Sequence, residues 1–145
     1  MKYIKYFENY SAIVIGDKII TRNDLNKILK GYITCALWTD EEELKTQNAQ
    51  IDVDIENVDY NSLIASYNDI KKFIELAGSD NINYAIEANG LERLGHDIWL
   101  TRNGHGAGFF DHNYDEDVEK KLIESGKSLG SKHIYINDEN KIDFE

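Results

Sequence analysis

Proline is absent from all 145 residues, cysteine and methionine occur once each, and arginine occurs only three times. The lone Cys35 excludes an internal disulfide and a zinc site built on cysteines, and reads as a small core residue. With no repeat, low-complexity stretch or linker in view, one domain is expected. No segment approaches the roughly 20 consecutive apolar residues that span a bilayer, and residues 1–10 lack the apolar run of a secretory signal. A cytoplasmic protein is therefore expected. Positive charge is scarce as well, because 16 Lys and Arg stand against 27 Asp and Glu, for a formal charge of −11. Binding to nucleic acid or an anionic membrane rests on neutralising phosphates with cations, so neither is an expected partner. A basic or DNA-handling protein is the more natural one, with the carboxylates either imitating a duplex's phosphates or serving solubility alone.

What is present suits a packed domain: 41% hydrophobic residues and 11% aromatics, with nine tyrosines. A chain of this length buries roughly two thirds of its unfolded surface without staples. Residues 11–15 and 18–21 flank Gly16-Asp17, which predicts that residues 1–22 form a β-hairpin extension to a core of residues 23–145. Tyr3, Tyr6, Phe7 and Tyr10 either cover one face of that extension or offer a partner surface. Asn23 reads as the N-cap of a central helix on which Leu25, Ile28, Leu29, Tyr32, Ile33, Ala36 and Leu37 recur at steps of three and four. Trp38 is expected to close it, with residues 40–43 following as a solvated acidic run.

Ile51, Val53 and Ile55 then alternate with Asp52, Asp54 and Glu56. This pattern predicts an edge strand or extended loop whose carboxylates point one way, as protection of an edge, a cation site or a copy of a phosphate row. A second helix is expected over residues 62–77, with Leu63, Tyr67, Ile70, Ile74 and Ala77 inward and Gly78 as its stop. Ile82, Ala85 and Ile86 mark a short third helix ending at Gly90. Asp115, Glu116 and Asp117 open another, carrying Val118, Leu122 and Leu129. Residues 133–136 and 141–144 close the chain as a hairpin. The expected class is α+β, a small antiparallel sheet of hairpins packed against three to four helices.

The densest stretch is LGHDIWLTRNGHGAGFFDH, residues 94–112, with four of the ten glycines and three of the four histidines. Asn103-Gly104 suits a type I′ turn, because both central positions need positive φ, so a hairpin is predicted with Arg102 and His105 beside its turn. Gly106 and Gly108 would share one strand face, open to a packed ring or to a ligand. The sequence GHD-x-WLTRNGHGAGF-x-D, from Gly95 to Asp111, resembles a signature of small, mostly uncharacterised proteins of bacteriophages and mobile elements. Looser similarity covers residues 34–43 and 134–142. Ile98, Phe110 and His112 stand where that family carries Phe, Trp and Arg. The resemblance implies a phage context, and with it a host bacterial cytoplasm, but no activity and no cofactor.

This stretch offers residues for several chemistries. The run Gly104-His-Gly-Ala-Gly108 lacks the lysine and the following helix N-terminus of a phosphate cradle, and three acids come next. His96, His105 and His112, with Asp97 or Asp111, lack helical metalloprotease spacing; an imidazole bonded to Asp97 or to the turn backbone explains them better, and no metal is expected. Arg93 and Arg102 beside three histidines make a small-anion pocket conceivable, with His96, Arg102, Asn103, Gly104, His105, Gly106 and Gly108 lining it. The bland counterpart is an Arg102–Asp111 pair across the hairpin. Two functions follow. The leading one is a non-enzymatic accessory protein that binds a host protein through Asp52, Asp54 and Glu56. The rival is an anionic-ligand (nucleotide or phosphate) binding protein or hydrolase using Arg102, His105 and Asp111.

Overall fold

The computed structural model describes residues 13–15, 18–105 and 107–145. The class is α+β, with helix dominating. Strands β1 (Ile13–Ile15) and β2 (Lys18–Ile20) precede α1 (Arg22–Gln47), α2 (Tyr60–Ala77), α3 (Ser79–Asn89), α4 (Leu91–Arg102) and α5 (Glu116–Ser128), and β3 (Ile134–Ile136) and β4 (Ile142–Phe144) close the chain. Among the described residues the two strand pairs are separate antiparallel ribbons rather than one sheet, and five α-helices stand where three to four were expected. The turn at Gly16-Asp17 and the aromatic group Tyr3 to Tyr10 lie outside the described residues, but the strands around that turn pair as predicted, Ile13 opposite Ile20. Ile20 is buried with the common core.

Helix α1 carries out its predicted stripe, all seven apolar positions being buried together with Cys35 and Leu44. Burial pushes the Cys35 thiol up to about 11, which keeps it an inert thiol. The helix is capped by Thr21 rather than Asn23, in a reciprocal arrangement: the Thr21 hydroxyl accepts from the Asp24 N–H, and the Asp24 carboxylate accepts from the Thr21 N–H. It also runs straight through residues 40–43, the solvated acidic run expected as an exposed loop or a helix start. No glycine or proline interrupts that acidic segment, Glu and Lys are good helix formers, and Lys45 pairs with Glu41 one turn back at 3.3 Å.

The largest departure is α4, which occupies the first arm of the predicted hairpin. Leu94, Ile98, Trp99 and Arg102 are all buried at steps of four, one and three, a helical rather than an alternating pattern. Asn103-Gly104 ends this helix instead of turning a hairpin. Asn103 sits at φ −97°, so only Gly104, at φ +65°, takes the left-handed conformation, and a type I′ turn is not made. The Gly104 N–H donates to the Thr101 carbonyl at 3.3 Å and the His105 N–H to the Leu100 carbonyl at 3.2 Å. These two bonds form a Schellman motif, which satisfies carbonyls that the helix end would leave open. An Asn-Gly pair serves either purpose, and the buried face of the preceding residues decides between them.

Helices α1 and α4 touch backbone to backbone. A Cβ on Gly31 would fall 2.0 Å from the Glu92 carbonyl oxygen, and one on Gly95 would fall 2.0 Å from that of Ile28. Further along, Tyr32 meets Trp99 edge to face at 5.3 Å, and the Trp99 indole N–H donates to the Thr39 hydroxyl at 3.0 Å.

The closing ribbon is pinned to α2. The Asp59 N–H donates to the Ile142 carbonyl at 2.8 Å, and the Asp143 carboxylate accepts from Ser62, Tyr135, Asn137 and the Phe144 N–H. Partial burial works to raise the Asp143 pKa, but these hydrogen bonds together hold it below the usual carboxylate value. Because its folded pKa lies below its unfolded one, Asp143 contributes stability above the unfolded value, near 3.9, and that contribution disappears as pH falls through the folded one. Asp143→Asn should therefore cost about 1.5–3 kcal/mol at pH 7, and urea titrations of the two proteins should converge below about pH 4. A gap that stays constant down to pH 3 would remove the ionised carboxylate from this account.

Candidate functional site

The residues of the 94–112 stretch are gathered by α4 and the loop after it, and most of them face inward. The Arg102 side chain is 1% exposed. Its Nε donates to the Gly130 carbonyl at 2.7 Å, Nη1 to the Tyr32 hydroxyl and the Asp69 carboxylate at 2.8 Å each, and Nη2 to the Leu129 carbonyl at 2.9 Å. Every guanidinium nitrogen is engaged, so Arg102 joins α1, α2 and the end of α5 and is closed to a ligand. Asp111 is exposed, and its carboxylate accepts from the Gly108 N–H at 3.2 Å rather than pairing with Arg102. An Arg102–Asp111 cross-strand pair is not formed. His105 is exposed at the α4 terminus near Asp40, whose carboxyl burial raises and whose neighbours His105 and His133 pull back down. Arg102, His105 and Asp111 therefore do not converge on an open anion pocket.

The remaining predicted residues hold the loop in place. Asn103 donates to the Trp99 carbonyl at 3.0 Å and accepts from the Lys132 N–H at 2.8 Å. Gly108 sits at φ +127°, and a Cβ there would come 2.4 Å from the Thr101 hydroxyl oxygen. The space beside that glycine is thus filled by Thr101 of the preceding helix, not by a ring or a ligand. Gly106 lies outside the described residues. Gly104 is exposed and carries the helix terminus. His96 is half-buried on α4, where burial and then Arg93 lower its pKa.

One imidazole does bind Asp97, as predicted, and it is His112. Asp97 is 1% exposed, accepts from His112 Nε2 at 2.7 Å and lies 3.3 Å from Arg93 Nε. Burial pushes the Asp97 carboxyl above its ordinary value, against the pull of His112 and Arg93. His112 stacks on Tyr114 at 5.1 Å, and the Tyr114 hydroxyl accepts from Asn89 at 2.7 Å. This chain of contacts ties the loop after α4 to α3 and α4. It is a structural network centred on the Asp97 oxygen that His112 bonds; the other carboxylate oxygen is buried with the Arg93 charge beside it but no hydrogen bond among the described residues. Among the described residues no group of His, Cys, Asp and Glu is arranged to hold a metal ion.

An open surface runs along α1. Leu37, Trp38 and Glu41 face Val53, Asp54 and Ile55 across a groove of about 270 Å³. Trp38 is 74% exposed. It points away from the buried stripe instead of closing the helix, as had been expected. The segment opposite is neither a strand nor featureless: it runs extended into a 3₁₀ turn at Ile55–Asn57, with the Asp54 carboxylate accepting from the Glu56 N–H at 3.1 Å. Its predicted alternation survives all the same, since Asp52, Asp54 and Glu56 are exposed and Ile51, Val53 and Ile55, which alternate with them, are half-buried. Among the described residues, none of these three carboxylates is in an ion pair. No family model, curated protein or solved structure matches the chain.

Trp38 is the residue that the sequence reading did not place in a site. The available signal was its phase: it falls one position beyond Leu37, off a stripe that otherwise recurs at three and four. A second recess of about 280 Å³, lined by Leu100, Thr101, Gly104, Ala107, Phe110, Ile123 and Lys127, opens beside the end of α4 and is mostly apolar.

Proposed function

We propose that this is a non-enzymatic accessory protein, phage-encoded and acting in a bacterial host cytoplasm, that binds and modulates a basic or nucleic-acid-processing host protein through its acidic face. The observation that carries the reading is the row of Asp52, Asp54 and Glu56, solvent-exposed and without ion-pair partners among the described residues, beside the exposed Trp38. Unpaired carboxylates on one edge, in a chain of net charge −11, attract a cationic surface and repel phosphates. On a partner that handles nucleic acid, they would stand where the phosphates do. The resemblance of residues 95–111 to phage proteins supports the context. The closed geometry of Arg102 counts against an anion-binding or hydrolase role for the 94–112 stretch. No helix among the described residues is long and apolar enough to cross a membrane.

The test separates charge from fold. Asp52→Lys and Glu56→Lys, combined with Asp54→Asn to keep the cap on the 3₁₀ turn, should leave the melting temperature within about 2 °C, because exposed substitutions away from special features cost little. Capture of a host protein from lysate should fall at least about tenfold, and wild-type capture should weaken steeply with added salt, as screened charges do. Capture that is indifferent to both would reject this face as the docking surface.

A further inference from the structure

We infer that the groove beside Trp38 receives an arginine side chain from an extended basic segment of the partner, the guanidinium lying on the indole and reaching the carboxylates of Asp54 and Glu41. The inference rests on the functional reading above and adds the chemistry of the contact. Three observations select this occupant. The first is the ring itself: Trp38 is 74% exposed, and among the described residues neither a second ring nor a cation is stacked on it, whereas Lys71 does sit over Tyr67. A cation over an indole is the most favourable of the cation–π pairings, and arginine makes it more often than lysine.

The second observation is the lining. Leu37, Val53 and Ile55 give the lining an apolar share that suits methylenes, and Glu41 of α1 and Asp54 of the facing segment add two acidic residues to it. Arginine is the side chain that matches all of this, because its aliphatic stem buries while its planar fork stacks on an aromatic face and bonds a carboxylate in two places. Glu41 already pairs with Lys45 at 3.3 Å, but both side chains are about half exposed, and an exposed pair of this kind yields readily to a better-placed guest.

The third observation is size and sign. A volume of about 270 Å³ falls below the usual range of small-molecule pockets and suits one long side chain. An anionic guest such as a nucleotide would face Asp52, Asp54, Glu56 and Glu41 together. A second copy of this chain would bring the same carboxylates against themselves across a two-fold axis, since such an interface uses the same patch on both subunits.

The probe is a seven-residue glycine-serine peptide carrying three arginines, set against counterparts carrying three lysines or three glutamates, and the readout is the indole N–H resonance of Trp38 in the intact protein. Only two tryptophans are present, and the resonance missing from Trp38→Leu identifies its own. The arginine peptide should shift that resonance saturably and bind at least about threefold tighter than the lysine peptide, while the glutamate peptide should not bind. Trp38→Leu should weaken the arginine peptide about fivefold or more with unchanged net charge. Glu41→Gln with Asp54→Asn should weaken it further and flatten its dependence on salt. Equal binding of the arginine and lysine peptides, together with indifference to Trp38→Leu, would reduce the contact to general charge attraction and overturn the inference. Concentration-dependent dimerisation in sedimentation velocity, abolished by Trp38→Leu, would overturn it in favour of a second copy. If the peptide fails while host capture still depends on Asp52 and Glu56, the groove falls and the acidic-face reading stands. If the peptide binds as stated but capture ignores the charge reversals, the functional reading falls instead.

Discussion

Gly95→Ala should destabilise the protein by at least about 3 kcal/mol, at the upper end of what overpacking a core costs, although it adds a single methyl group and raises helix propensity. The methyl would sit 2.0 Å from the Ile28 carbonyl oxygen and 2.5 Å from the Tyr32 nitrogen, and these are backbone atoms of a helix. A flexible side chain swings aside, but a helix backbone moves only as a unit. Relief therefore requires α4 to back away from α1, and that separation would loosen the Tyr32–Trp99 contact and the indole bond to Thr39. Gly31→Ala meets the Glu92 carbonyl in the same way from the other helix. The two together should cost less than the sum of the singles, because one separation relieves both clashes. Gly104→Ala supplies the contrast. Nothing lies within 4 Å of its added methyl, so only the left-handed φ of +65° is strained, for about 1–2 kcal/mol. Urea unfolding of the four variants would decide the matter, and a Gly95→Ala protein within 1 kcal/mol of wild type would mean that α1 and α4 do not cross at their glycines.

Much of the scaffold was readable from periodicity. The α1 stripe from Leu25 to Leu37, the α2 stripe from Leu63 to Ala77 and the closing ribbon all lie where their apolar spacing and glycine stops put them. Between Gly95 and Asp111 a local rule and a longer pattern conflict, and the longer pattern decides the fold. Asn-Gly is a strong turn signal over four residues, whereas Leu94, Ile98, Trp99 and Arg102 mark a helical face only when read over nine, and Arg102 does not look like a core residue. What makes Arg102 a core residue is the set of acceptors brought to it by three distant segments, and no local window contains them. The acidic row was legible in part. Alternation correctly separated Asp52, Asp54 and Glu56 from the half-buried residues between them, but alternation does not tell a strand from an extended loop without a pairing partner. The groove was not legible at all, because it forms between a helix and a segment whose approach depends on tertiary packing. Only the off-phase position of Trp38 pointed toward it.

Replacing Arg102 with methionine should cost about 3–5 kcal/mol, the range seen when one partner of a buried ion pair is removed, and not the few tenths expected of a surface arginine. The guanidinium satisfies the Leu129 and Gly130 carbonyls, the Tyr32 hydroxyl and Asp69 in one planar array. Methionine fills similar volume but leaves acceptors unpaired in an interior where water does not replace the lost bonds. The Tyr32 phenol, which burial holds up to about 12 even with Arg102 beside it, would then lose the neighbour that favours its ionised form. The charge that remains near it, Asp69, disfavours that form further, so the phenol stays neutral and the cost falls on the unpaired acceptors. Arg102→Lys should recover little, because one ammonium group cannot reach acceptors on opposite sides of a planar fork. Asp69→Asn should be milder than either, since the Asp69 side chain is 26% exposed and an amide oxygen still accepts a hydrogen bond. The melting temperature of Arg102→Met should fall by roughly 10–15 °C for a domain of this size, and phosphate or nucleotide should stabilise neither protein. A methionine variant that melts like wild type, or a wild type that gains several degrees with an anion and loses the gain on substitution, would put Arg102 back at an open binding site and return the stretch around it to chemistry.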